Sequence, residues 1–348
     1  MLQEVLPQAY TEFQPLEEVM VGKGYSKNIL DEFHTEYMST TTKRLLGYLL
    51  DETEEDYQNL IKIFETYGAK VYRPNYSNIT QLRNEPYLMN PRDEMIVLGN
   101  NIIFKSLQKS TTKDLAIPLE KYKKYFRYEK PFLGLAPPSI VRLGKDIIVD
   151  SNDGANLENS YKYLKKILEP DGFNVIYYQT HNFKFEAPGC HADGCFAILK
   201  PGVLLTLRPE YMYTDGLFPN WDTCRLEGES WKKLDEWHQF SKSIPEIANY
   251  TYWFDNERYR EKEFFNYIDT WLSKWVGYAK ETVFDVNVIS LDEHTVCVSS
   301  YNKQVFEYFK KHKIEPIIAP FRHRYFWDGG LHCITTDIKR KGNVESYL

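Results

Sequence analysis

The sequence predicts an α/β fold in which one hairpin, helix, strand unit is used about five times and closed into a ring. Three observations carry this. Four stretches share a design of apolar run, two-residue turn and apolar run: "EMIVLGNNIIF" (94–104), "IVRLGKDIIVD" (140–150), "CFAILKPGVLLTL" (195–207) and "VNVISLDEHTVCVS" (286–299), with "LEEVMVGKG" (16–24) as half of another. Several are followed by helical periodicity and a short strand. Units this short cannot each bury a core, so they must share one.

The turn pairs Gly99-Asn100, Gly144-Lys145, Pro201-Gly202 and Asp292-Glu293 are hairpin punctuation. After the first half-unit, Leu45, Leu46, Leu49 and Leu50, then Leu60, Ile61 and Phe64, recur on one helical face. Gly68 stops that helix and "AKVYRP" (69–74) is its strand. In "LENSYKYLKKILEPDGFNVIYYQ" (157–179), Pro170 and Gly172 divide helix from strand, and "NKQVFEYFKKHKIEPIIAP" (302–320) repeats the design. Residues 211–282 are expected to be an insertion of helices and loops. In a ring of such units strand ends converge on the axis, so residues flanking the hairpin strands line one central site.

Hydrophobic residues make up 43% and charged residues 26% of the 348, as in a soluble globular protein. A net charge of −6 and the lack of a dense basic stripe argue against nucleic-acid binding. Lys339, Arg340 and Lys341 read as a solvated strand end. No apolar run approaches the roughly 18 residues of a membrane span, and "MLQEVLPQAYTEF" lacks a signal-peptide pattern. Five cysteines, few and odd in number, fit reduced thiols and a cytoplasmic location. Cys190 and Cys195 flank His191 without the two-residue thiolate spacing of a zinc site, so no metal is expected. A single domain, 1–348, is expected.

Chemistry concentrates at three places. Cys333 lies in the glycine-rich turn "DGGLHC" (328–333), before a strand. A catalytic cysteine needs a partner that lowers its pKa or moves protons, usually histidine. "PGCHADGCF" offers His191, with Asp193 two residues on and so on the same face of an extended segment. His332, adjacent to Cys333, would point away from it on a strand. "NPRDEM" sets Arg92 and Asp93 at a strand start. The bland alternatives are a buried structural thiol, a loop-capping histidine and a surface ion pair.

Together "PLEEVMVG", "NPRDEMIVLGNNII", "VRLGKDII", "CHADGCFAILKPGVLLT", "VNVISLDEHTVCV" and "GGLHCITTDIKRKGNVESYL" resemble, in order and across nearly the whole chain, the amidinotransferase family of the guanidine-modifying, or pentein, superfamily. The resemblance implies a five-bladed pseudo-symmetric α/β propeller of ββαβ repeats and no cofactor. It implies that Cys333 attacks an amidino carbon, that His191 protonates the leaving amine and deprotonates the acceptor, that Asp93 binds the guanidinium, and that Asp193 holds the histidine or the substrate. Small-molecule partners follow, an arginine-like donor and an amine acceptor, in specialised biosynthesis; a homodimer is left open.

The sequence departs from the family at "LAPPSIVRLG" (135–144), where Ala136 stands at a catalytic aspartate's position. Asp328, where the family usually has glycine, is the candidate replacement acid. Glu186, Asp150 and Asp153 are others, and Arg208 opens a long aromatic stretch, 208–231, that is a candidate substrate cover. Two further readings stay open: an arginine-deiminase-like hydrolase, and a Cys-His transferase for acyl-type substrates, which need no carboxylate clamp.

Overall fold

A computed structural model of the chain describes residues 6–24, 40–75, 89–105, 110–128, 136–150, 158–178, 191–206, 216–226, 283–327 and 329–348. Among them lie five three-stranded sheets, all with one topology. In four the strands follow the chain: β3 (Met95–Leu98), β4 (Asn101–Phe104) and β5 (Phe126–Tyr128); β6 (Ile140–Leu143), β7 (Asp146–Asp150) and β8 (Asn174–Tyr178); β9 (Phe196–Lys200), β10 (Val203–Thr206) and β11 (Asp222–Arg225); β12 (Ile289–Asp292), β13 (Thr295–Val298) and β14 (Glu315–Ile318). Each has an antiparallel hairpin whose second strand pairs in parallel with the third.

The fifth sheet is assembled from distant parts of the chain. β15 (Thr335–Arg340) pairs antiparallel with β1 (Leu16–Val21), which pairs in parallel with β2 (Lys70–Tyr72). "LEEVMVGKG" is therefore half a hairpin, and its other half is the strand that follows Cys333.

Parallel pairing of the second and third strands requires a crossover, and helices supply it. α1 (Thr40–Tyr67) buries Leu49, Leu50, Leu60 and Phe64 and stops before Gly68, as the periodicity predicts. α2 (Ser110–Ala116) runs into a 3-10 segment, Ile117–Tyr125, before β5. α3 (Glu158–Leu168) buries Leu164 and Leu168. α4 (Lys303–Lys311) starts where the Asn302 side chain accepts from the Val305 amide at 3.3 Å, a cap for an otherwise orphaned donor. It buries Val305, Tyr308 and Phe309. A short α5 (Arg324–Trp327) precedes the cysteine turn.

Apolar clusters link each blade to the next and close the ring. Ile96 and Leu98 pack with Ile140 and Ile147; Val141 and Ile148 with Phe196 and Leu204; Leu199 and Leu205 with Val288 and Val296. Ile289 and Leu291 meet Val19 and Met20, which share their cluster with Met95 and Val97. Covered on both faces, β3, β4, β6, β7 and β10 are buried at every residue, which is why their sequences run apolar instead of alternating. Gly144 (φ +68°) is dictated by closeness: a Cβ there would lie 2.0 Å from the Glu345 carbonyl oxygen.

Two local expectations are corrected. Asp222–Arg225, inside the expected insertion, is β11; its sequence "DTCR" has no apolar pattern because only one residue, Cys224, is buried. The fourth hairpin turns at Glu293-His294, one residue later than the Asp292-Glu293 pair, because Thr295 pairs with Asp292. Among the described residues no helix is long and apolar enough to cross a membrane.

Candidate active site

Four 3-10 turns open the first strands of four blades: Pro91–Asp93, Pro137–Ser139, Ala192–Gly194 and Val283–Val286. The tight turn at residues 331–334 does the same for β15. The first three turns lie against one another in series, and the Ala192–Gly194 turn meets Val283–Val286. The repeat thus brings Asp93, Ala136, His191, Asp193, Asn287 and Cys333, spread over most of the chain, to one end of the ring.

Cys333 is buried, with 8% of its surface exposed. Its Sγ lies 3.1 Å from Nδ2 of Asn287 and 3.5 Å from Oδ2 of Asp193. Asn287 organises the turn: its Oδ1 accepts the amides of His332 at 2.9 Å and Cys333 at 3.1 Å, while Nδ2 also donates to the Asp193 carbonyl at 2.8 Å. The paired glycines make this approach feasible. A Cβ on Gly330 would lie 2.7 Å from Asn287, and one on Gly329 would lie 3.1 Å from the Cys333 Cβ.

Burial, then the charges of Asp193 and Asp93, push the Cys333 thiol well above its ordinary range; the Gly330 backbone and Asn287 oppose them. A histidine-lowered pKa is therefore corrected: burial and the charges of two acids hold the thiol up. Asp93 itself is pushed up to about 6, first by burial; the His191 charge lowers it and Asp193 raises it. Burial also penalises Asp193, yet the His332 hydrogen bond and charge, then the His191 and Arg92 charges, hold it below the usual carboxylate range. Asp93, His191, Asp193 and Cys333 thus share one electrostatic environment.

His191 is half-buried and directly precedes the Ala192–Gly194 turn. Because that segment is a turn and not extended, alternation does not pair His191 with Asp193. The Asp193 carboxylate takes Nδ1 of His332 at 2.9 Å instead. For the same reason His332, in a turn, does not point away: it shares Oδ2 of Asp193 with Cys333. Arg92 is buried beneath the site, 1% exposed, with Nε donating to the carbonyls of His332 at 3.2 Å and Thr335 at 3.0 Å, so it braces the cysteine turn from below.

Below lies an ionic core. Glu12 takes Arg142 Nε at 2.8 Å and also meets Arg142 Nη2, which pairs with Asp337 in turn. Asp337 accepts from Arg340 Nε at 3.0 Å and lies 3.5 Å from Arg92 Nη2.

Asp328, Arg208, Glu186, Asp153 and Cys190 lie outside the described residues. Cys195 is disulfide-bonded, which corrects the expectation that all five thiols are reduced; Cys224, Cys297 and Cys333 are free. Among the described residues no cluster of three or more His, Cys, Asp or Glu could hold a metal. Three site residues, Asn287, His332 and Glu12, escape a reading of the sequence. Lining up the repeat would have found Asn287, which sits just before the fourth blade's first strand. The glycines of "GGLHC" signal a turn, which removes the reason for setting His332 aside. Glu12 lies outside every repeat and carries no such signal.

A five-bladed ring of ββαβ units is the pentein fold, and the chain has it. It covers 99% of both chains in superposition on inosamine-phosphate amidinotransferase from Streptomyces griseus (TM-score 0.62, 16% identity). For SxtG, an amidinotransferase from Microseira wollei in the saxitoxin biosynthetic pathway, the TM-score is 0.60 at 18% identity over 98% of this chain and 99% of that one. This chain's sequence is similar to those of amidinotransferases. It is 23% identical to the L-arginine:L-lysine amidinotransferase of Pseudomonas savastanoi pv. phaseolicola over 98% of this chain and 96% of that protein. No family model matches the sequence.

Proposed function

We propose that the chain is an amidinotransferase that takes an amidino group from arginine, carries it on Cys333 and delivers it to an amine acceptor in the biosynthesis of a specialised metabolite. One observation carries this reading: Cys333 is buried with its Sγ 3.5 Å from Oδ2 of Asp193, where burial and then the charges of Asp193 and Asp93 push the thiol well above its ordinary range. A guanidinium between those acids neutralises the charges that oppose the thiolate, so a cationic donor arms its own nucleophile.

In the first half-reaction the Cys333 thiolate bonds to the guanidino carbon, and the bond from that carbon to the side-chain nitrogen breaks. His191 takes the proton that the Cys333 thiol gives up and passes it to the nitrogen with which ornithine leaves. In the second, the acceptor amine gives a proton to His191 and attacks the S-linked amidino carbon, and the carbon–sulfur bond breaks to restore the thiolate. Splitting one transfer into two steps is what a covalent nucleophile contributes.

The test is intact-protein mass spectrometry after mixing with arginine. The expected result is a gain of one amidino group, absent in Cys333→Ala, with ornithine released. Citrulline and ammonia would make it a hydrolase. Ala136 favours one further reading: a methyl group, half-buried before the Pro137–Ser139 turn, stands where the resemblance implies an acid. An enzyme inert to arginine that is acylated on Cys333 by a thioester would establish an acyl-type transferase.

A further inference from the structure

Three residues hold equivalent places in three blades. The carbonyls of Asn90, Ala136 and His191 each accept the amide three residues on, from Asp93 at 3.0 Å, Ser139 at 2.9 Å and Gly194 at 3.0 Å, and so open the turns that lead into β3, β6 and β9. Asn90 and Ala136 also share a backbone conformation, with φ −115° in both and ψ 77° and 89°. The three turns lie against one another at one end of the ring, so the repeat brings the side chains at these places to a common space. His191 puts an imidazole there and Ala136 only a methyl group. Asn90 puts an amide.

That amide is buried, 8% exposed, and its Oδ1 has no hydrogen-bond partner among the described residues. It does not cap its own turn. Only a bare glycine stands between it and the thiol's backbone: a Cβ on Gly329 would lie 3.1 Å from the Cβ of Cys333 and 3.3 Å from Oδ1 of Asn90. An acceptor taken out of water and left unpaired costs free energy in the free protein. The turn itself needs no polar group at this place, because Ala136 opens the equivalent turn without one. The fold therefore gives no reason for the amide, and the site beside it does.

We propose that Asn90 is a substrate-binding residue: its Oδ1 accepts an N–H of the donor's guanidino group and supplies the hydrogen bond that Ala136 cannot. The assignment rests on the amidinotransferase reading. A guanidinium carries N–H donors around its whole plane, so an acceptor beyond the carboxylates has a place. A neutral acceptor also adds its hydrogen bond to the cation without adding a charge to those of Asp193 and Asp93, which already hold the Cys333 thiol up.

The test sets arginine binding, measured by calorimetry on the full chain carrying Cys333→Ala, beside thermal melts of the same protein without arginine. Asn90→Leu replaces an orphaned acceptor by an apolar side chain of similar size. It should melt no lower than its parent and bind arginine about ten- to hundredfold more weakly, the value of one hydrogen bond to a charged group. Asn90→Ala should weaken binding alike and guards against a poor fit of the leucine. Asn90→Asp keeps an acceptor whether or not it is ionised, and should retain arginine. Unchanged affinity in the Leu and Ala variants overturns the proposal. A lower melting temperature in both overturns it too, because the amide would then hold the free fold together. The amidinotransferase reading fails in a different way: the wild type would gain no amidino mass from arginine and the Cys333→Ala parent would bind none, and the donor contact would fall with it.

Discussion

Nδ2 of Asn287 lies 3.1 Å from Sγ of Cys333, and the same amide's Oδ1 takes the Cys333 backbone N–H at 3.1 Å. One side chain from the fourth blade thus fixes both the backbone and the sulfur of a residue in the fifth. Asn287→Ala should lower turnover by about tenfold or more, the value of one or two hydrogen bonds to a developing thiolate. Asn287→Asp keeps the shape but puts a third acid at the sulfur and loses the donor to the Asp193 carbonyl, and should abolish turnover and lower the melting temperature. Gly330→Ala, whose Cβ displaces Asn287, should copy Asn287→Ala. Steady-state kinetics beside thermal melts separates these outcomes; a fully active Asn287→Asp would remove Asn287 from the site.

Asp93 and Asp193 should act with opposite sign on thiol reactivity and on turnover. Each raises the Cys333 pKa in the free protein, so Asp93→Asn and Asp193→Asn should each speed iodoacetamide labelling at pH 7. The same variants should lose amidino transfer, because the cation has lost its partner. Slower labelling in both would show that the acids do not oppose the thiolate.

The raised Asp93 carboxyl makes a stability prediction. Folded, it titrates at about 6; unfolded, near the ordinary value of about 3.9. Its protonation therefore stabilises the fold fully below about pH 4, and that contribution is lost as pH rises through 6. Asp93→Asn, neutral at every pH, should be more stable than wild type at pH 8 by on the order of 3 kcal/mol and no more stable at pH 4. Urea denaturation at the two pH values measures it; an equal effect at both would refute the linkage.

Arg142 is fully buried between Glu12 and Asp337. Arg142→Met strands two carboxylates and should cost about 3–5 kcal/mol, read as a lower urea midpoint. Adding Glu12→Gln should recover part of that loss. A neutral Arg142→Met would mean that solvent already reaches this core.

His191→Asn should lower turnover by about 10²–10⁴-fold, the range for a general acid–base group. Formation of the amidino adduct without transfer would confine His191 to the second half-reaction, and unchanged kinetics would exclude it from both.

The blades were legible because hairpin turns and continuous apolar strands are local signals. Gly99-Asn100 and Gly144-Lys145 announce their hairpins, and Leu60 and Phe64 announce a helix face. β11 was not legible, because a strand with one buried residue leaves no pattern. In the site, Cys333, His191, Asp193 and Asp93 stand out by residue type and place in the repeat, yet their relationships do not. The partner of Asp193 is His332 and not His191, since a one-turn 3-10 helix breaks the alternation on which the pairing rested. Glu12 reaches the site only because residues 8–14 run beneath the ring, bridging Ala9 to Gly99 and Thr11 to Leu143, and no local pattern encodes that route.

The pairing of β15 with β1 sets an order of assembly. During synthesis Asp93, His191, Asp193 and Asn287 emerge before Cys333, and the thiol joins them only when β15 has found a strand made more than 300 residues earlier, as in the pairing of Leu16 with Arg340. A growing chain therefore holds the acids and the histidine without the thiol. The last seam of the ring is thus the one that brings the thiol to the acids, and a chain that never closes keeps them apart.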